Sequence, residues 1–163
     1  MSSHKQKITT FLWFDDQAQE AAEFYVSVFG GESRITDVQR YGEAGPGKAG
    51  SVMTVAFELA GQQFVALNGG PMFPFTEAIS LSVDCADQAE VDRYWEALTS
   101  GGGQESQCGW LKDKYGLSWQ IVPRQLPELL GDPDPARAQR AMQAMLQMRK
   151  LDVAALRAAA DAG

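Results

Sequence analysis

The chain has 163 residues, an apolar share of 45% and a formal charge of −7. That length suits one domain with an added tail, and the apolar share is enough for a real core. The acidic balance argues against a nucleic-acid or anionic-membrane partner, and no apolar run approaches the roughly 20 residues that a membrane helix needs.

Met1 to Lys7 is polar, lacks the apolar stretch of a signal peptide, and is expected to be disordered. The next seven residues, Ile8 to Phe14, are apolar enough for a strand. Asp16-Gln-Ala-Gln19 then has the form of a capping box, an acidic N-cap with Gln three residues on. Ala18, Ala22, Tyr25 and Phe29 recur at helical spacing, and Gly30-Gly31 ends that helix. Three strand-like segments follow, near 33–41, 51–60 and 62–68. The first two are joined by Gly42 to Gly50, a glycine-rich loop that is mobile by composition. The last two are joined by a turn at Ala60-Gly61.

The pattern then restarts. From Ala78, the residues Ile79, Leu81, Val83 and Cys85 alternate with Ala78, Ser80, Ser82 and Asp84, a strand with two different faces. Asp87-Gln-Ala-Glu90 repeats the capping box. Val91, Tyr94, Trp95 and Leu98 form the apolar stripe, and Gly101 to Gly103 ends it. Segments near 104–108, 110–114 and 117–122 complete the copy. The last two make a β-hairpin turned at Tyr115-Gly116. In it Trp119 and Ile121 point one way, and Ser118, Gln120 and Val122 the other. Asp16 answers to Asp87, Phe24-Tyr25 to Tyr94-Trp95, and Gly30-Gly31 to the later glycine run, in nearly one register. That is an internal repeat of a βαβββ unit.

Asp132-Pro-Asp-Pro135 breaks the chain and starts a helix over about 134–149. Its stripe of Ala138, Met142, Met145 and Leu146 suits core or a subunit contact. Asp152 can cap a last short helix carrying Val153, Leu156 and Ala160. The expected organisation is therefore a terminus (1–7), a first unit (8–70), a second unit (71–125) and a helical C-terminal extension (126–163). The fold class is α+β.

Two βαβββ units, Phe24-Tyr25 near the end of the first helix and the hairpin at 110–123 resemble the vicinal oxygen chelate superfamily. That group includes glyoxalase I, bleomycin-resistance proteins and extradiol dioxygenases. Three stretches resemble its PhnB-like branch, often labelled 3-demethylubiquinone-9 3-methyltransferase: Phe11-Leu-Trp-Phe14 through Phe24-Tyr25, Asn68-Gly-Gly-Pro71 through Val83, and Cys108-Gly-Trp-Leu-Lys-Asp-Lys-Tyr-Gly116 with Trp119-Gln-Ile-Val-Pro123. The resemblance implies that each unit forms half of a U-shaped mixed sheet around a cavity, often completed by a second subunit. A homodimer is expected.

Metal-dependent members place His, Glu, His and Glu on four strands. By motif position these fall near Thr10, at Ala66 or Asn68, at Ala78 and at Gln120. None is an imidazole or a carboxylate, the donors that divalent metals prefer. The one histidine, His4, lies in the terminus. No catalytic metal and no cofactor are expected.

A cavity without a metal still suits a small-molecule ligand, through a few placed polar groups in an apolar lining. The candidate ligand-binding residues are Thr10, Asn68, Phe73, Phe75, Ser80, Trp110 and Gln120. Phe73-Pro-Phe75 lies in the crossover between the halves. Trp119 alternates with Gln120 and is expected in the core, and Asn68-Gly-Gly70 also suits a plain turn. Cys108, beside Gly109 and four residues from Lys112, is the weak catalytic candidate, because a nearby cation makes a thiol more nucleophilic. Lys112, Asp113 and Lys114 read as a solvated turn, and Arg34, Arg40 and Lys48 as surface charge within reach of an anionic ligand.

Methyl transfer gains no support from the motifs. Gly30-Gly31 and Gly101–Gly103 follow helices, whereas a nucleoside-type methyl donor sits on a glycine-rich turn that precedes one. Cys85 and Cys108 have no CxxC spacing, so free thiols and a cytoplasmic setting are the expectation. Three functions remain open: a protein that sequesters or senses a ligand, an enzyme on a small metabolite, and a dimeric interaction module built on the Met-rich tail.

Overall fold

A computed structural model of the chain describes residues 5–163, so His4 lies outside the described residues. The chain divides into two compact units, parted between Pro74 and Phe75.

In the first unit, strand β1 (Thr10–Phe14) leads into helix α1 (Ala18–Phe29) and then strands β2 (Arg34–Arg40), β3 (Val52–Leu59) and β4 (Gln62–Asn68). They form one mixed sheet in the order β1-β4-β3-β2, with β1 parallel to β4 and the other pairs antiparallel. Burial along β3 alternates, with Val55, Phe57 and Leu59 inside. Those residues meet α1, whose Ala18, Ala21 and Ala22 are fully buried and let the helix lie close to the sheet. Tyr25 stacks on Phe57 with ring centroids 6.3 Å apart, and Phe57 on Phe64 at 5.6 Å. Ala60 and Gly61 both have positive φ, 49° and 85°, as a two-residue hairpin turn requires.

The start of α1 departs from the expectation. Asp16 does not cap it. The N-cap is Gln17, which makes no side-chain bond. Instead the Ala18 N–H donates to Oδ1 of Asn68 at 2.8 Å. Asn68 is the register partner of Phe14 in the parallel β1–β4 pair, so its amide arrives where the chain leaves β1 for the helix. Its Nδ2 donates to the Val52 carbonyl at 3.1 Å, and its own carbonyl accepts from the Tyr41 hydroxyl at 2.5 Å.

The 42–50 loop, mobile by composition, folds back over Tyr41. The Tyr41 N–H donates to Ser51 O and the Gly50 N–H to Tyr41 O, both at 2.8 Å. Gly47 lies against the Tyr41 ring, where a Cβ would overlap it. Glycine is needed there for closeness rather than for flexibility.

In the second unit, β5 (Ser80–Cys85), α2 (Gln88–Thr99), β6 (Gln104–Glu105), β7 (Trp110–Lys112) and β8 (Ser118–Pro123) repeat the arrangement, with sheet order β5-β8-β7-β6. Here the local capping box forms. Asp87 accepts from the Glu90 N–H at 2.9 Å, and Glu90 accepts from the Ala86 N–H at 2.6 Å. Trp119, Ile121 and Leu111 are buried with Val91 and Leu98 of α2.

The extension forms α3 (Gln125–Leu130), α4 (Pro135–Met145) and α5 (Val153–Asp161), the last two capped by Asp134 and Asp152. Helix α4 stops short of 149, and its last turn tightens as the Gln147 and Met148 N–H groups donate three residues back, to Ala144 O (3.1 Å) and Met145 O (3.0 Å). Cys108 N–H donates to Met148 O and Gly109 N–H to Arg149 O, both at 2.8 Å. Leu126, Leu151 and Leu156 form a cluster against which Met145 and Met148 pack. Gln88 ties this to α2, donating to Leu151 O at 3.0 Å and accepting from Val153 N–H at 2.7 Å. Met145 of the stripe thus packs on its own chain, whereas Leu146 stays exposed.

In urea unfolding, Asn68→Ala is expected to lower stability by about 2 kcal/mol, through a lost cap and a lost strand tie. Asn68→Asp keeps the acceptor for Ala18 but loses the donor to Val52, and is expected to lose about half as much. Equal losses would show that the bond to the helix contributes nothing.

Candidate functional site

Each sheet has a helix on one face and an open face. In the first unit, residues directly paired across strands share a face. Thr10 is paired with Phe64, and Phe64 lies under α1. Thr10 therefore shares the helix-bearing face. So does Asn68, whose side chain reaches the α1 backbone. Neither lines the open face, which corrects the expectation that both face a ligand there: the alternation of β1 and β4 sets Leu12, Phe14 and Ala66 into the core and turns their neighbours outward.

The open face of this sheet carries Phe11, Trp13, Thr54, Ala56, Val65 and Leu67. Trp13 is fixed on it. Its indole N–H donates to Gly70 O at 2.8 Å, and its ring covers Gly69, where a Cβ would overlap it. Phe73 packs edge-on against Trp13 with centroids 4.9 Å apart and remains 56% exposed. Phe75 is half-buried and belongs to the second unit.

The open face of the second sheet gathers three of the candidates. Gln120 Nε2 donates to Ser80 Oγ at 2.9 Å, and Trp110 is the register partner of Gln120. Ser118, paired with Ser80, is fully buried, and its hydroxyl has no hydrogen-bond partner among the described residues. Such a group is uncommon in a native interior. Lys112 lies on the same face, next to Ser118, and is answered by Glu77. The bond from Lys112 holds the Glu77 carboxyl below its usual range. What this face offers is an aromatic ring, a neutral hydroxyl–amide pair and a neutralised ammonium.

Asp113 is the residue that the sequence misplaces. It is 3% exposed, not part of a solvated turn. One carboxylate oxygen accepts from the N–H groups of Tyr115 (2.9 Å) and Leu117 (3.1 Å), and the other accepts from the Trp119 indole at 2.9 Å. This carboxylate shapes the hairpin loop and holds Trp119 inward, which turns Gln120 to the open face. An Asp five residues before a buried strand and three before a Gly is the turn signal that could have found it.

Metal chemistry does not fit the superfamily's ligand positions. Thr10 and Asn68 face the helix, Ala66 and Ala78 have no donor, and the Gln120 amide is engaged with Ser80. Among the described residues, no three His, Cys, Asp or Glu side chains converge. A nucleoside-type methyl donor fits no better. The strand-to-helix turns are Asp15-Asp16-Gln17 and Ala86-Asp87, without the glycine that brings backbone close to such a group.

Two βαβββ units, each a four-stranded mixed sheet with one helix-covered face, define a protein of the vicinal oxygen chelate class, the glyoxalase and bleomycin-resistance fold. The chain belongs to the 3-demethylubiquinone-9 3-methyltransferase family, whose sequence model matches residues 6–122. A putative 3-demethylubiquinone-9 3-methyltransferase, a PhnB protein from Bacillus cereus, is 41% identical. The match covers 72% of this chain and 99% of that one, with a TM-score of 0.66. A Pseudomonas aeruginosa protein shares the fold at 21% identity, covering 73% of this chain and 98% of that one, with a TM-score of 0.60. The fosfomycin resistance protein FosX from Listeria monocytogenes shares it at 13% identity, covering 73% and 93%, with a TM-score of 0.51. No curated protein matches the chain. Helices α3 to α5 lie beyond the matched residues. Among the described residues no helix is long and apolar enough to cross a membrane.

Both cysteines are free. Cys85 is fully buried, and burial foremost, with the nearby Glu90 and Asp84 charges, pushes its thiol up to about 12. A raised thiol pKa keeps the neutral form through the physiological range and reduces the thiolate about a thousandfold. Cys108 is half-buried, with a positive φ of 60°. Native alkylation at pH 8 followed by peptide mapping is expected to label Cys108 and spare Cys85. Equal labelling would show that the second core opens readily.

Proposed function

We propose that the chain binds a small, largely apolar molecule without a metal, on the open face of the second sheet, and sequesters or senses it. The observation that carries this reading is the Ser80–Gln120 hydroxyl–amide pair beside Trp110, with the buried Ser118 hydroxyl next to it. An aromatic bed with a few neutral hydrogen-bonding groups is the design of a ligand site rather than of an acid–base centre. Ser80, Trp110 and Gln120 are the binding residues, with Phe75 near the start of the unit. The donor set gives a divalent cation no charge to bind. The family's methyl-transfer label remains a name without a methyl-donor site in this chain.

The protein works as a cytoplasmic homodimer in this reading. Strand β1 is an edge strand, and large apolar side chains on or near it are exposed: Ile8 at 84%, Phe11 at 59% and Met72 at 73%. An unpaired edge with such a patch favours association with a second copy.

Native mass spectrometry of the purified, tag-free protein is expected to carry a co-purifying small molecule. The double variant Ser80→Ala/Gln120→Leu is expected to lose it, with affinity down at least about tenfold. A wild-type protein that carries no ligand, and whose melting temperature no metabolite of a broad library raises, sinks the reading. Elemental analysis giving near one transition metal per chain contradicts its metal-free part. Sedimentation is expected to show a dimer that Phe11→Ser weakens, and a monomeric wild type contradicts the assembly.

A further inference from the structure

The connection between β2 and β3 bounds a cavity of about 410 Å³ inside the first unit. Asn68 and the two glycines after it form one side. Asp15 and Asp16, in the turn from β1 to α1, form another. Tyr41 and Lys48 line it from the loop side. The volume lies in the range of small-molecule sites. None of the residues of the proposed ligand face on the second sheet takes part in it.

The loop that bears Lys48 is held in place. The Lys48 carbonyl accepts from both the N–H (3.0 Å) and the hydroxyl (2.5 Å) of Ser51. Its neighbour Gly47 lies on the Tyr41 ring, and the Tyr41 hydroxyl is bonded to Asn68 O. Two of the neutral polar side chains here are already engaged. The Asn68 side chain serves Ala18 and Val52, and Tyr41 serves Asn68. The charged groups are not. Among the described residues Asp15, Asp16 and Lys48 join no ion pair, so no oxygen of either carboxylate comes within 4.0 Å of the Lys48 ammonium. Two carboxylates and one ammonium therefore border the same cavity without meeting.

That pattern selects a ligand. A lone cation would answer the carboxylates and leave Lys48 opposed, and a lone anion would meet Lys48 against two negative charges. A molecule with both charges answers all three groups. We propose that this cavity is a separate binding site for a small zwitterion of the α-amino acid class. The ammonium lies at Asp15 and Asp16, and the carboxylate lies at Lys48. Both walls are solvent-exposed, so binding is weak, on the order of millimolar, and falls with added salt.

Titrating the full chain with each of the common free L-α-amino acids, read by ¹⁵N–¹H correlation spectra, tests this. At least one amino acid is expected to shift the amides of 15–19 and 47–51 saturably. It is expected to bind at least about tenfold more tightly than ethylammonium or acetate, the single-charge probes. Asp15→Asn/Asp16→Asn and Lys48→Met are each expected to remove the saturable shift while melting at the wild-type temperature. Ser80→Ala/Gln120→Leu is expected to leave it intact, which separates this site from the face on the second sheet. Three results would overturn the proposal: no saturable shift with any amino acid, equal binding of either single-charge probe, or unchanged binding in folded Lys48→Met.

Discussion

The first unit depends on one side chain. The Asn68 amide accepts from the first N–H of α1 and donates to the carbonyl that begins β3, while the Asn68 backbone carbonyl holds the Tyr41 hydroxyl. A helix start leaves backbone donors without partners, and a buried start must find acceptors for them. Here the acceptor comes from the far end of the unit's last strand. One residue thus closes the βαβββ unit on itself, joining β4 to α1, to β3 and, through Tyr41, to the β2–β3 loop. That closure fixes which face of the first sheet the helix covers. It also withdraws Asn68 from any ligand on the open face.

The second unit shows why this is a choice of sequence and not a property of the topology. Phe14 and Cys85 are the last residues of β1 and β5, and their register partners are Asn68 and Pro123. Proline at the equivalent place has no side-chain acceptor, so α2 must be capped from within. Asp87 and Glu90 do so. The first unit can dispense with a local cap, and among the described residues the Asp15 and Asp16 side chains join no hydrogen bond or ion pair. The same substitution that changes the cap thus leaves two carboxylates unspent at the mouth of the first cavity.

Much of this was legible in the chain. The repeat, the strand alternation in β5 and β8, and the caps at Asp87 and Asp152 depend on neighbours close in sequence, and the patterns there match the structure. The Ala60-Gly61 turn is of the same kind. The misreadings share another cause. Asp16 had the form of a cap, but an acceptor 50 positions away took the helix N–H. Asp113 read as solvated between two lysines, but Trp119 supplies a buried donor that no local pattern predicts. In the 42–50 loop, Gly45 and Gly47 lie against the Tyr41 ring, a contact that composition does not foretell. Parity errors are cheap to make from sequence, since a shift of one residue exchanges the faces of a strand. Thr10 lies on the helix face for that reason.

The candidate site was legible where its residues share one strand pair and illegible where they do not. Ser80 and Gln120 were singled out separately, and the parallel β5–β8 register brings them into contact. Ser118 adds the hydroxyl between them and the hairpin loop. What keeps Gln120 on this face is Asp113, since drawing Trp119 inward by its indole N–H fixes the parity of the whole strand. A buried charge is retained only where hydrogen bonds answer it. Asp113 has at least three, so its position tolerates little change. The polar face of the second sheet therefore rests on a carboxylate that never reaches that face. In both units, the side chain that determines what the open surface presents lies beneath the surface.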